Sequence, residues 1–191
     1  MTFQKQTILE KIKRYTIISL IALMAKPANS NDTLDKLNHT LLVRPVRWVE
    51  WAETPNINVC RNSPVGFTEV SSATVWWQLK GWGWGSISYN YDGPGCNGEI
   101  EPGTISISLN NNIENNHIGK TTVYFDSNKK YIVHANIQLP SNAKDFDLIV
   151  EHEFGHALGF THCSQTGHIM NQWFEDIGLG DAGIRRENYS R

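Results

Sequence analysis

Residues 152–170 read "HEFGHALGFTHCSQTGHIM" and place four histidines, one cysteine and one glutamate in nineteen residues. The run leading into them, "NAKDFDLIVEHEFGHALGF" from Asn142, has helical spacing. Phe146, Ile149, Val150, Phe154, Ala157 and Leu158 form a broad apolar band that can bury one side of a helix. Asn142 is a candidate cap, and Asp145, Asp147 and Glu151 fall early in the run, where carboxylates oppose the positive end of the helix dipole. The positions off the apolar band are free for chemistry.

His152 and His156 are four residues apart, so on a helix their rings stack on one face and can grip one ion. Glu153 lies about 100° further round the helix, too far offset for a comfortable third ligand but within reach of a metal-bound water. That is the position of a general base. Gly159 can adopt a left-handed conformation, end the helix and turn the chain, so that His162 arrives as a third ligand. Three protein ligands leave the fourth position of a catalytic zinc open. Cys163 adjoins His162, and their side chains diverge, so it reads as a buried thiol or half of a disulfide. His168 reads as a turn or substrate-pocket residue, because a fourth ligand would close the open position.

Outward from this helix the pattern changes to strands. "YIVHANIQL" (131–139) ends at Pro140 and is preceded by "KTTVYF" (120–125), with the turn-forming "DSNK" between them. "TISISL" (104–109) and "SISYNY" (86–91) alternate in period two, with Ile105, Ile107 and Leu109 on one face. "INVC" is a further short strand. Between it and "SISYNY", the segment from Pro64 to about Lys80 places Phe67, Val70, Ala73 or Thr74, and Trp77 at helical spacing. Gly81, Gly83 and Gly85 then break the helix. The order strand, helix, four strands, helix predicts an α+β domain with one mixed sheet. Bulky aromatics at a helix end usually serve the core, which favours core packing over sugar binding for Trp76, Trp77, Trp82 and Trp84. His39, His117 and His134 read as surface or strand histidines.

The chain has 191 residues, the size of one ordinary domain. Residues 1–30 read as a secretory signal. A basic segment precedes the apolar run "YTIISLIALMA" (15–25), which is too short to span a bilayer, and Ala28 and Ser30 supply small residues for cleavage. Residues 31–191 are then one catalytic domain, in which 31–55 form an irregular arm anchored by Trp48 and Trp51. Residues 1–30 hold five of the 17 basic and one of the 19 acidic residues, leaving 12 against 18 and a formal charge of −6. That balance argues against a nucleic-acid partner. In an exported chain Cys60, Cys96 and Cys163 allow three pairings, of which Cys60 with Cys96 is preferred because Cys163 sits beside a metal-binding histidine.

"HEFGHALGFTH" carries H-E-x-x-H-x-x-G-x-x-H, and Met170 follows His162 by eight residues. In this it resembles the metzincin zinc endopeptidases, and with Gly155 and "ALGF" most closely the matrixin branch. The resemblance implies a zincin fold: a mixed, mostly parallel twisted sheet of about five strands, an active-site helix and a backing helix. It implies one catalytic Zn2+ on His152, His156 and His162, Glu153 as the catalytic base, and Met170 as a Met-turn residue beneath the metal. "TISISL" resembles the third strand, "KTTVYF" the antiparallel edge strand, "HANIQL" the strand before the active-site helix, and "GDAGI" the start of the closing helix.

Two departures stand out. Asn171 and Gln172 replace the tyrosine and proline that commonly follow the matrixin methionine, and no "PRCGxPD" latency motif is present. His117 and His134 lack the neighbouring aspartates of the family's structural metal sites, so neither structural Ca2+ nor a second Zn2+ is assigned. The implied protein is a secreted or periplasmic, monomeric zinc metalloendopeptidase acting on protein or peptide, without stable membrane association after signal cleavage. Two other classes remain open. One is a narrow zinc hydrolase of peptide or cell-wall cross-links, and the other is a non-catalytic binding domain on the same scaffold.

Overall fold

The computed structural model describes residues 44–113, 117–128 and 130–189, together with the backbone of 17–19. His39, the cleavage region at Ala28–Ser30 and the arm before residue 44 lie outside the described residues.

Seven strands and two helices make up the described fold. They are β1 (Ile17–Ser19), β2 (Glu50–Trp51), β3 (Asn56–Cys60), α1 (Phe67–Gln78), β4 (Ile87–Tyr91), β5 (Thr104–Leu109), β6 (Lys120–Phe125), β7 (Tyr131–Leu139) and α2 (Ile149–Ala157). The sheet order is β1-β6-β7-β5-β3-β4, with β2 beside the start of β7. β4, β3, β5 and β7 run parallel, whereas β6 is antiparallel to β7. The sheet is thus mixed and mostly parallel, with five principal strands, as expected.

Period-two alternation explains how the sheet is sandwiched. Ile57, Ile105, Ile107 and Ile137 are fully buried in the core. The intervening Thr104, Ser106 and Ser108 are buried too, and bond across to β7: Thr104 Oγ1 lies 3.0 Å from His134 Nδ1, and Ser108 Oγ donates to Asn136 Oδ1 at 3.2 Å. A turn at Pro94–Cys96 covers this polar face, since a side chain built on Gly95 would touch Ser106, Glu101 and His134. The Cys60–Cys96 disulfide ties that turn to the end of β3, which is the preferred pairing, and Cys163 is a buried free thiol.

α1 buries Val70, Ala73, Thr74 and Trp77 and packs on α2, where Trp77 Nε1 donates to the Glu151 carbonyl at 2.8 Å. Trp82 is likewise in the core and bonds the Ile184 carbonyl at 2.8 Å, while Trp76 and Trp84 are partly buried against it. The core role expected of the tryptophans holds. Phe67 departs from the predicted face and is 70% exposed at the first position of the helix.

Four further expectations are corrected. The pattern from Asn142 does not form one long helix: a short turn of 3-10 helix at Ala143–Asp145 precedes α2, which starts only after Leu148, at φ +63°. Asn142 therefore caps nothing in α2, and Phe146 packs on Phe174 instead of joining the helical band. The described part of the arm is not irregular throughout, because β2 adds to β7 and Arg47 pairs with Phe160. Among the described residues no α-helix follows Met170; Arg186–Asn188 form a single 3-10 turn, held near α1 by the Lys80–Asp181 ion pair at 2.7 Å. His134 is on a strand as expected, but buried.

Candidate metal centre

Every residue of α2 is buried, so this nine-residue helix is part of the core on all sides. Its stability comes from packing, since a helix this short is marginal alone and has no side-chain cap. Helix ends leave unpaired carbonyls, and here the arm takes them up. Trp51 Nε1 donates to the Ala157 carbonyl at 2.8 Å, Arg47 Nε to that of Leu158 at 3.0 Å, and the Trp48 amide to that of Gly159 at 3.2 Å. Gly159 has φ +93°, and a Cβ there would lie 2.3 Å from the Val49 carbonyl oxygen. Only glycine permits both the turn and the close approach of the arm.

Beyond this turn the chain delivers His162 to the two helical histidines. The Nε2 atoms of His152, His156 and His162 lie 2.9–3.2 Å from one another. His152 Nδ1 donates to the Ile169 carbonyl at 2.7 Å and His156 Nδ1 to that of Phe160 at 2.8 Å. Burial lowers both imidazoles, His156 to about 4, and keeps them neutral. With Nδ1 carrying the proton, both Nε2 atoms are bare acceptors, 3.0 Å apart with no hydrogen between them. Such a pair is repulsive unless a cation sits beside it. A tetrahedral ion at about 2.0–2.1 Å would space its nitrogens roughly 3.3 Å apart, so the donor set fits zinc.

The Met170 segment supports this cluster from below. Ile169 supplies the carbonyl that orients His152, and Met170 is fully buried, its sulfur so close to Gly155 that a Cβ there would meet it at 2.2 Å. The Cys163 amide donates to the Met170 carbonyl at 2.8 Å, joining the residue beside His162 to the turn. His168 is the turn residue expected from its position and lies outside the metal-binding cluster. It accepts from the Met170 amide at 2.9 Å and donates from Nε2 to the Ala182 carbonyl at 3.1 Å. Asn171 also stabilises the turn, through the Gln165 carbonyl at 2.9 Å and the Trp173 amide at 2.8 Å.

Glu153, which follows His152 on α2, is fully buried. The Thr121 hydroxyl of β6 donates to its Oε2, while Oε1 is a buried oxygen with no hydrogen-bond partner among the described residues. Burial pushes the carboxyl up to about 8, and the Thr121 hydrogen bond opposes that shift. A carboxyl so placed can take up and release a proton near neutral pH. The three histidines proposed as ligands come together, and Glu153 lies on the same helix as His152 and His156, held by β6. Thr121 and the carbonyls of Ile169 and Phe160 were missed by sequence reasoning, because a β-strand threonine and main-chain oxygens leave no spacing signature.

A helix-borne histidine pair, a third histidine past a glycine turn, and a buried methionine turn are arranged as the resemblance to the metzincin metallopeptidases implies. Residues 103–186 match the family model described as Matrixin, a match that supports a matrixin-like metallopeptidase. Neither the curated proteins nor the solved structures contain a match to it.

Proposed function

We propose that the chain is an exported zinc endopeptidase in which His152, His156 and His162 hold the metal and Glu153 is the general base. The observation that carries this reading is the convergence of three imidazole nitrogens at 2.9–3.2 Å, two of them on the helix that also carries the buried Glu153. When bound, the zinc supplies Lewis-acid polarisation of the scissile carbonyl and acidifies a water. Glu153 takes the proton of the attacking water and returns it to the nitrogen of the departing amine. Ile169 and Phe160 hold two imidazoles in the tautomer that presents Nε2, so the cluster needs little reorganisation.

The substrate is an extended peptide laid along β6. Support comes from the pairing of Ile17–Ser19 with Thr122–Tyr124, in which this edge already accepts an antiparallel strand. Main-chain pairing tolerates many sequences, which suits a protein or peptide substrate. Export is supported by the Cys60–Cys96 disulfide, a bond that persists in oxidising compartments. Casein digestion should be abolished by a chelator and restored by zinc, and Glu153→Gln should keep one zinc per chain while losing nearly all hydrolysis. An active Glu153→Gln enzyme would sink the assignment of the base. Activity confined to a peptidoglycan-type peptide would replace general proteolysis with a narrow cross-link hydrolase.

A further inference from the structure

Glu153 is held by β6 as well as by its own helix. Thr121 is fully buried, and its hydroxyl donates to Glu153 Oε2 while lying 3.3 Å from the Glu153 carbonyl. Two residues earlier, a Cβ on Gly119 would sit 2.4 Å from Oε1 and 2.9 Å from Cδ, so the carboxylate rests directly against the backbone leading into β6. One oxygen is therefore fixed by a hydroxyl, and the other occupies space that only glycine leaves. The edge proposed to align the peptide is the same strand.

We propose that Thr121 is a positioning residue for the general base, pinning Oε2 and so fixing the orientation of the carboxylate, with Gly119 keeping the space that Oε1 needs in that orientation. The inference rests on the proposed role of Glu153. An ordinary account of Thr121 would be a buried hydroxyl satisfied by its nearest acceptor. The two accounts differ in what losing the hydroxyl does to turnover at constant fold.

Thr121→Val removes the hydroxyl at nearly constant shape, and Thr121→Ser keeps it. Val should lower kcat about tenfold or more, within the range for general-base catalysis, leave KM within about twofold, and retain one zinc and the parent Tm. Ser should stay within about threefold of the parent. Gly119→Ala, which crowds Oε1, should also lower kcat without loss of zinc. In zinc-free protein the Glu153 carboxyl carbon resonance, assigned by its absence in Glu153→Gln, should move in the Val variant and not in the Ser variant.

A Val variant with parental kcat, a Ser variant as impaired as Val, or an unmoved resonance would overturn the proposal. So would loss of zinc or a collapsed Tm in Val, which would make Thr121 structural. Should Glu153→Gln itself prove active, the reading of the base fails separately, whatever Thr121 does.

Discussion

Gly159 carries two constraints at one position: φ +93° and a carbonyl oxygen 2.3 Å from where a Cβ would stand. Left-handed backbone alone costs a non-glycine residue on the order of 1–2 kcal/mol, and displacing the arm adds to it. Gly159→Ala should therefore lose at least about 2 kcal/mol in urea unfolding and bind zinc more weakly, because His162 follows the turn. Unchanged stability and affinity would show that the arm moves aside freely. His134 supplies a pH-dependent term remote from the metal centre. Burial lowers its imidazole to about 4, so between about pH 6.5 and 4 the unfolded chain binds a proton that the native protein refuses. Stability should fall as pH falls through that window, by up to about 3 kcal/mol in all. Urea midpoints of His134→Gln should show a flatter acid limb than the parent, and parallel limbs would contradict the assignment.

At the scale of elements, β5 and β7 were legible to the residue, because turn residues or a proline bound them and, in β5, the isoleucines alternate. α2 was legible in existence but not in length. Its upstream pattern has helical spacing, yet Phe146 finds a better partner in Phe174, and Leu148 turns left-handed to aim the short helix into the core. β2 was not legible, since two residues carry no periodicity and their pairing depends on where β7 lies. The disulfide closes 36 residues of chain, worth about 3–4 kcal/mol in the chain-entropy model. A Cys60→Ser, Cys96→Ser double variant should melt roughly 10 °C lower. It should still bind one zinc, because the bridge joins β3 to the turn over the polar face, away from the histidines. Loss of zinc binding on removing the bridge would show that the two regions are coupled.

The whole molecule brings three distant segments to α2: the arm at its carbonyl end, the Met170 turn beneath it and β6 beside its glutamate. Since bound metal favours the native state, zinc held at about a thousandfold over its Kd would add about 4 kcal/mol. Chelation should lower Tm by several degrees and zinc should restore it, whereas His156→Ala should melt alike with or without zinc. An equal response in both proteins would place the stabilising ion elsewhere. By itself the sequence determined the proposed ligand set, the proposed base and the turn that brings in the third histidine, because these lie within eleven consecutive residues, where helical geometry and one glycine dictate distances. Only the tertiary structure decided how the ligands and the base are held. Their supports are the Ile169 and Phe160 carbonyls, the Thr121 hydroxyl, the space at Gly119 and the clamp of residues 46–51. Most of these come from chain segments remote in sequence or from main-chain atoms, which no local pattern can specify.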